Sequence, residues 1–415
     1  MTFENLNIIA PITQALKQMG YIAPTPIQEK VIPQFLKGAD VFGTAQTGTG
    51  KTAAFAIPIL QNLSLSSTDS RSGGIRALVV APTRELAIQI SDSFSDYGKG
   101  LKLRHTVVYG GVSQLPQTTI LRRGVDILIA TPGRLLDLMN QGFIRLDRVE
   151  FFILDEADRM LDMGFAPDIK RIIAKLPARR QTGFFTATIP PEIRALASSL
   201  LHNPVMINAV PASTPAEGIN QSVYYVEKAG KKALLHQVLQ SDEIETVLIF
   251  TRTKHGANRV AQDLNKVGIT AEAIHGNKSQ QARQRALTGF KNRTIKVLVA
   301  TDIASRGIDV ERLSHVINYE LPEVPETYIH RIGRTARAGL KGTAISFCSS
   351  DERGSLKDIN KLLPSSIEVR QMEGFAAIEK NPHAAATISK PGNTNRELRQ
   401  DSADIRPRRT FFRKR

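Results

Sequence analysis

The 415 residues predict an α/β protein of two successive domains, each a mainly parallel sheet flanked by helices, followed by a basic and mostly disordered tail. Three observations carry that prediction. Short apolar runs rich in Val, Ile, Leu and Phe alternate with helical stretches, the pattern of strands buried on both faces. The alternation runs through twice, with a Pro-, Ala-, Ser- and Thr-rich break at Asn208–Asn220 between the two passes. The length also exceeds what one hydrophobic core usually supports.

In the first pass the strand candidates are Asp40–Gly43, Ala77–Ala81, His105–Tyr109, Asp126–Ala130, Phe151–Leu154 and Thr182–Phe185. Helices are predicted between them, among them Arg84–Tyr97 and Gly133–Gln141. In the second pass the strands are Thr246–Phe250, Ala271–Ile274, Val297–Ala300, Val316–Tyr319 and Thr343–Cys348. Helices there include Lys254–Val267, Gln280–Lys291 and Val324–Thr335. The division is therefore 1–208 for the first domain, 209–220 for an exposed linker, 221–372 for the second domain and 373–415 for the tail, which lacks periodicity and ends in RPRRTFFRKR.

Composition narrows the function classes. Every strongly apolar run is far shorter than a membrane span. The start, MTFENLNIIA, lacks the basic-then-apolar layout of a signal peptide. The single cysteine, Cys348, excludes an intramolecular disulfide and a cysteine-based metal cluster, and its apolar run TAISFCS reads as core. These features fit a reducing, cytoplasmic setting without a membrane partner. Lys and Arg outnumber Asp and Glu by 55 to 39, a net charge of +16. That excess favours a polyanion, chiefly nucleic acid, with a merely solvated basic surface as the alternative.

The segment DVFGTAQTGTGKT reads as strand, glycine-rich loop and helix start. Gly48 and Gly50 let backbone amides approach phosphate oxygens, and the helix beginning near Lys51 aims its positive dipole end at them. Lys51 should reach the outer phosphates and the Thr52 hydroxyl should face Mg²⁺. Ala45 stands where the general pattern has glycine, a small departure at the strand exit. Downstream, FFILDEAD delivers Asp155 and Glu156 at the carboxyl end of an apolar strand. Asp155 suits Mg²⁺ coordination, and Glu156 suits orienting and deprotonating an attacking water. Two acids after a strand also fit a helix N-terminal charge pair. A phosphate loop on the same sheet favours hydrolysis of ATP.

These two motifs resemble motifs I and II of the DEAD-box RNA helicases, and the rest of that family's series follows in order. GYIAPTPIQ, Gly20–Gln28, resembles the family's adenine-reading Q motif, with Phe3 at the upstream aromatic position. The resemblance implies a nucleotide site of Phe3, Tyr21, Thr25, Gln28, Ala45, Gln46, Thr47, Gly48, Thr49, Gly50, Lys51 and Thr52. PTRELA at Pro82–Ala87, Gly110–Gly111 and TPGR at Thr131–Arg134 resemble RNA-contacting motifs. They imply contacts from Pro82, Thr83, Arg84, Gly110, Gly111, Thr131, Pro132, Gly133 and Arg134. Thr186–Thr188 resembles motif III, usually Ser-Ala-Thr, and with Asp158 implies a coupling role for Thr186 and Thr188.

The second domain has no phosphate loop, which suggests that it completes the first domain's site. YIHRIGRTARAG reads as one helical segment carrying Arg334 and Arg337 three apart, so they are expected to share a helix face. Arginines arriving from another domain can neutralise charge on a transferred phosphate; a basic nucleic-acid face is the alternative. The resemblance gives Arg334 and Arg337 to the γ-phosphate, Asp309 to the ribose, and His330 to the link between the ATP and RNA sites. It gives Arg252, Gly276, Arg283 and Thr301 to the RNA backbone. It extends to about Met372, and the phrase DEADRMLDMGF looks most like the bacterial RhlE-type subgroup.

The resemblance thus implies two tandem RecA-like domains, ATP and Mg²⁺ as ligands, and RNA bound without sequence preference. The expected activity is RNA-stimulated ATP hydrolysis coupled to local unwinding of short duplexes and to RNA–protein remodelling, in settings such as ribosome assembly or RNA decay. A DNA helicase or translocase and a non-catalytic RNA clamp are the rivals. The tail arginines with Phe411 and Phe412 suit an RNA tether or a solubilising segment alike. A monomer is the default expectation.

Overall fold

The computed structural model describes residues 2–45, 48–66, 74–209, 218–241, 244–305, 313–336 and 342–372. Gln46, Thr47, Asp309, Arg337, most of the linker and the whole basic tail lie outside the described residues.

The described residues form two seven-stranded sheets. The first holds β1 (Val41–Thr44), β2 (Ala77–Val80), β3 (His105–Val108), β4 (Ile127–Ala130), β5 (Phe151–Leu154), β6 (Gln181–Thr186) and β7 (Val205–Asn208), in the order β3-β4-β2-β5-β6-β1-β7. The second holds β8 (Ile219–Tyr225), β9 (Val247–Phe250), β10 (Ala271–Ile274), β11 (Val297–Ala300), β12 (His315–Asn318), β13 (Gly342–Cys348) and β14 (Glu368–Arg370), in the order β10-β11-β9-β12-β13-β8-β14. All the strand pairs are parallel. Helices cover both faces, as parallel sheets require. Along β2, Ala77 and Val79 enter one core while Leu78 and Val80 enter the other, so the period-2 alternation of a strand feeds two hydrophobic layers.

All eleven strands read from the sequence begin and end within a residue of their expected bounds, and β5, β10 and β11 match residue for residue. Three strands escaped that reading. β7, VMIN, is an edge strand with exposed Met206, and β14 is an exposed three-residue edge. β8, INQSVYY, carries polar residues that mask its run of strand formers. The linker expectation is corrected accordingly. Ile219 and Asn220 belong to β8, so the connection between the sheets is confined to 209–218. Cys348 is fully buried, and burial pushes its thiol up to about 12, in keeping with a core residue. No helix among the described residues is long and apolar enough to cross a membrane.

In a parallel sheet all carboxyl ends share one edge, and ligands bind there. The strand order sorts the predicted motifs along that edge. The phosphate loop, Asp155–Asp158 and Thr186–Thr188 follow the three adjacent strands β1, β5 and β6. Pro82–Arg84, Gly110–Gly111 and Thr131–Arg134 follow the other three neighbours, β2, β3 and β4. The second sheet repeats this, with Thr251–Arg252, His275–Gly276 and Thr301 following β9, β10 and β11.

Candidate active site and nucleic-acid interface

The glycine-rich loop leaves β1 through Ala45, whose amide donates to the Thr186 carbonyl at 3.1 Å and so ties the loop to β6. Ala45 is fully buried, so the missing glycine costs no space there. The helix Lys51–Leu65 starts directly behind Gly50, which has φ 91°. A Cβ on Gly50 would stand 2.4 Å from the Gln28 amide nitrogen and 3.0 Å from the Thr25 hydroxyl, so only glycine fits. Gly48 shares the left-handed backbone, and Thr49 and Thr52 are half-buried. Lys51 is buried and donates to the Ala45 carbonyl at 2.8 Å, folded back over its own loop.

Pro26–Leu36 forms the helix that carries Gln28. Both ends of its amide are engaged: Oε1 accepts from the Thr25 amide at 2.9 Å and Nε2 donates to the Gly50 carbonyl at 3.2 Å. Gln28 therefore braces the phosphate loop, and contact with an adenine edge requires exchange of these bonds. The Thr25 hydroxyl is buried without a hydrogen-bond partner, an orphaned polar atom beside the loop that a ligand would satisfy. Phe3 is packed in the first core with its ring edge-on to Tyr21, and the Tyr21 hydroxyl meets that of Tyr97 at 3.0 Å. Phe3 thus supports Tyr21 from behind.

Beyond β5, Asp155 and Glu156 are both buried, at 2% and 3% exposure. Burial, offset in part by Lys51 and reinforced by Glu156, pushes the Asp155 carboxyl up to about 6. A buried anion of this kind is relieved by a bound cation. With the Thr52 hydroxyl it forms the hard-oxygen donor set that Mg²⁺ prefers, so these residues fit the metal. Glu156 holds a left-handed backbone, φ 53°, at the start of the helix Ala157–Asp162, and its Oε2 accepts from Arg159 Nη1 at 2.5 Å. Arg159 belongs to none of the expected site residues. Its signal is the i,i+3 spacing to Glu156.

Asp158 gathers the coupling residues. Its Oδ2 accepts from the Ala187 amide (3.1 Å), the Thr188 amide (2.9 Å) and the Thr188 hydroxyl (3.0 Å). The Thr186 hydroxyl donates to the Thr188 carbonyl at 2.8 Å. These bonds tie the β5 and β6 loops together, and Thr in place of Ser keeps the hydroxyl bond.

In the second lobe the helix reads Pro325–Ile332, so it ends before Arg334, and Ala336 turns at φ 55°. The expectation that Arg334 and Arg337 share a helix face is corrected at this point: Arg334 sits in the turn beyond the helix. It is 5% exposed, while His330 is exposed on the last helical turn. Arg331, which the sequence reading left without a role, is the fixed point. Its guanidinium donates to both Asp302 oxygens at 2.6 and 2.8 Å, to Asn318 Oδ1 and to the Glu320 carbonyl, and lies over the Phe250 ring. These bonds anchor the Arg334 turn to β11 and β12.

The expected nucleic-acid residues converge on a cavity of about 450 Å³ between the lobes. Pro82, Thr83, Arg84, Gly110, Thr131, Gly133 and Arg134 line it from the first lobe, and Gly276 and Arg283 from the second. Gly111 stands just behind. It has φ 78°, and a Cβ there would come 2.2 Å from an Arg84 nitrogen, so glycine lets the guanidinium lie flat. Burial, then the nearby Arg283 and Arg134 charges, lowers the Arg84 pKa, which marks a crowded cationic site suited to phosphate. Glu85, unassigned from sequence, is buried between the lobes, 2.9 Å from Arg283 and accepting from Gln280 Nε2 at 3.0 Å. Arg252 is engaged within the second lobe. Its guanidinium is held by Glu352 and the Leu321 carbonyl, and its amide donates to Glu320. Pro132 is buried and, with Arg252 and half-buried Thr301, is absent from the cavity wall.

The chain matches two family models, DEAD/DEAH box helicase over residues 25–196 and helicase conserved C-terminal domain over residues 230–339. It is 43% identical over 372 residues to the ATP-dependent RNA helicase DeaD of Mycobacterium tuberculosis, covering 89% of this chain and 65% of that protein. It is 41% identical over 369 residues to the DEAD-box ATP-dependent RNA helicase CshA of Geobacillus kaustophilus, covering 88% of this chain and 78% of that one. Among solved structures, a DEAD box protein from Methanococcus jannaschii aligns at 39% identity with a TM-score of 0.53, over 89% of this chain and 99% of that one. Saccharomyces cerevisiae Dbp5 bound to RNA and ADP–BeF3 aligns at 30% identity with a TM-score of 0.76, over 89% of this chain and 95% of that one.

Proposed function

The chain belongs to the DEAD-box family of ATP-dependent RNA helicases, and from that premise we propose that it hydrolyses ATP in response to RNA and opens short duplexes locally. The chain spans 65% of the length of its DeaD relative, so activity and partners are proposed for this chain on its own residues. One observation carries the reading. The phosphate-loop half and the strand-binding half lie side by side on one sheet edge, and the groove on the second half is closed by residues of the other lobe.

In this reading Gly48, Gly50 and Lys51, with Gln46 and Thr47, take the ATP phosphates, and Thr25, Gln28 and Tyr21 take the base. Asp155 and Thr52 would hold Mg²⁺, which would supply positive charge to offset that of the phosphates. Glu156 orients the attacking water and accepts its proton. Arg334 and Arg337 bring positive charge to the γ-phosphate from the second lobe, and Asp309 reaches the ribose. Arg84, Arg134, Gly276, Arg283 and Thr301 grip RNA phosphates without reading bases. Asp158 carries movement of the catalytic loop to Thr186–Thr188, and His330 links that loop to the groove.

Two similarity scores support mobile lobes. The more identical structure superposes less well, 0.53 at 39% against 0.76 at 30%, as expected when two rigid units share a family fold and differ in mutual orientation. A cytoplasmic setting, a tethering role for the tail and likeness to the RhlE-type subgroup belong to this proposal.

Steady-state ATP turnover with matched RNA and DNA strands tests it. Turnover is expected to rise steeply with single-stranded RNA and little with DNA. Equal stimulation by both would favour the DNA-translocase reading, and no turnover at all would favour a non-catalytic clamp.

A further inference from the structure

The opposite edge of the first sheet, where the strands begin, carries a second concentration of positive charge. The helix end and turn leading into β4 hold Arg122 and Arg123, the turn entering β5 holds Arg145 and Arg148, and the turn entering β6 holds Arg179 and Arg180. With β2 lying between β4 and β5, these turns cover four adjacent strands, about 15 Å at the usual strand spacing of about 4.8 Å. Five of the six arginines are exposed, and Arg180 is half-buried over the Phe152 ring.

Carboxylates balance them only in part. Asp147 bonds Arg145, Glu150 bonds Arg76, and buried Asp126 accepts the Arg104 amide. Among the described residues no carboxylate pairs with Arg122, Arg123 or Arg179. A cavity of about 310 Å³ opens between these turns, lined by Gly124, Gly142, Phe143, Arg145 and Arg148 among others. Beside it, the Arg122 guanidinium lies over the ring of the lining residue Phe143, 5.2 Å from its centroid, a cation–π contact that holds the planar fork at this edge. Such forks match phosphate oxygens bidentately.

We infer that this edge of the first lobe is a second, sequence-independent site for the RNA phosphodiester backbone, taking a stretch of strand that runs on from the interlobe groove. The inference rests on the RNA reading above. It predicts a length requirement. A lobe of about 200 residues has a radius of gyration of about 16 Å and hence an outer radius of about 21 Å, so a strand must run roughly 65 Å around it to touch both edges. Ten nucleotides cover about 34 Å at a stacked rise of about 3.4 Å each.

The experiment uses the full chain with Arg122→Ala, Arg123→Ala, Arg145→Ala and Arg179→Ala combined, and a matching variant with lysine at all four. Binding of a ten-nucleotide and a thirty-nucleotide single-stranded RNA is measured across a salt series. The alanine variant is expected to lose about tenfold in affinity for the long strand. Its log K against log salt slope should fall by about 2 to 3, at about 0.7 per lost phosphate contact. Affinity for the short strand and its stimulation of ATP turnover stay unchanged, and the lysine variant keeps the long-strand affinity. Unchanged long-strand affinity and slope overturn the inference and leave the face to an acidic protein. Failure of any RNA to stimulate the unaltered chain would instead break the helicase reading.

Discussion

Arg334→Ala is expected to lower RNA-stimulated ATP turnover by about 10³-fold or more, the range in which a charge delivered from a second domain acts. Arg334 is buried in a turn whose neighbour Arg331 is locked to Asp302, so its approach is set by β11 and β12. The phosphate loop belongs to the other lobe and does not need Arg334 to fold. ATP affinity in the absence of RNA should therefore stay within about threefold. Arg334→Lys should recover little, because an ammonium is a point charge without the planar fork. Turnover reduced less than tenfold in Arg334→Ala would remove the second lobe from the chemistry.

Glu156→Gln is expected to cost about 10²- to 10⁴-fold in turnover, the usual contribution of a positioned general base. The substitution is nearly isosteric. The glutamine carbonyl oxygen can still accept from Arg159, the partner 2.5 Å from Glu156. The left-handed backbone at φ 53° and the helix behind it have no reason to change. Binding of ATP and RNA should survive, which separates loss of the base from loss of the site. Single-turnover hydrolysis and equilibrium binding measured on the same preparation check both halves.

The motifs on the sheet edges were legible because each sits just after an apolar strand, where an α/β sheet displays its ligands. β5, read from FFIL, delivers Asp155 and Glu156 as expected. What the sequence could not display was partnership across distance. Glu85 meets Arg283 across the lobes, and Arg331 meets Asp302 from another strand end. A pairing between residues far apart in the chain leaves no periodic trace. Gln28 shows a subtler limit, since its amide braces Gly50 in this structure. β8 escaped because Asn220, Gln221 and Ser222 interrupt its strand formers, yet it pairs with both β13 and β14 and buries Ile219 and Val223 in a core cluster. The helix expected to Thr335 stops at Ile332, where Gly333 and the left-handed Ala336 redirect the chain.

If one catalytic site is completed across two lobes, ATP and RNA must each strengthen binding of the other by the same factor. The measurement is the affinity of the Glu156→Gln chain for ATP with and without saturating RNA, and for RNA with and without saturating ATP. The two ratios are expected to agree, at about 5- to 150-fold. Affinities that are independent of the other ligand would contradict a shared site.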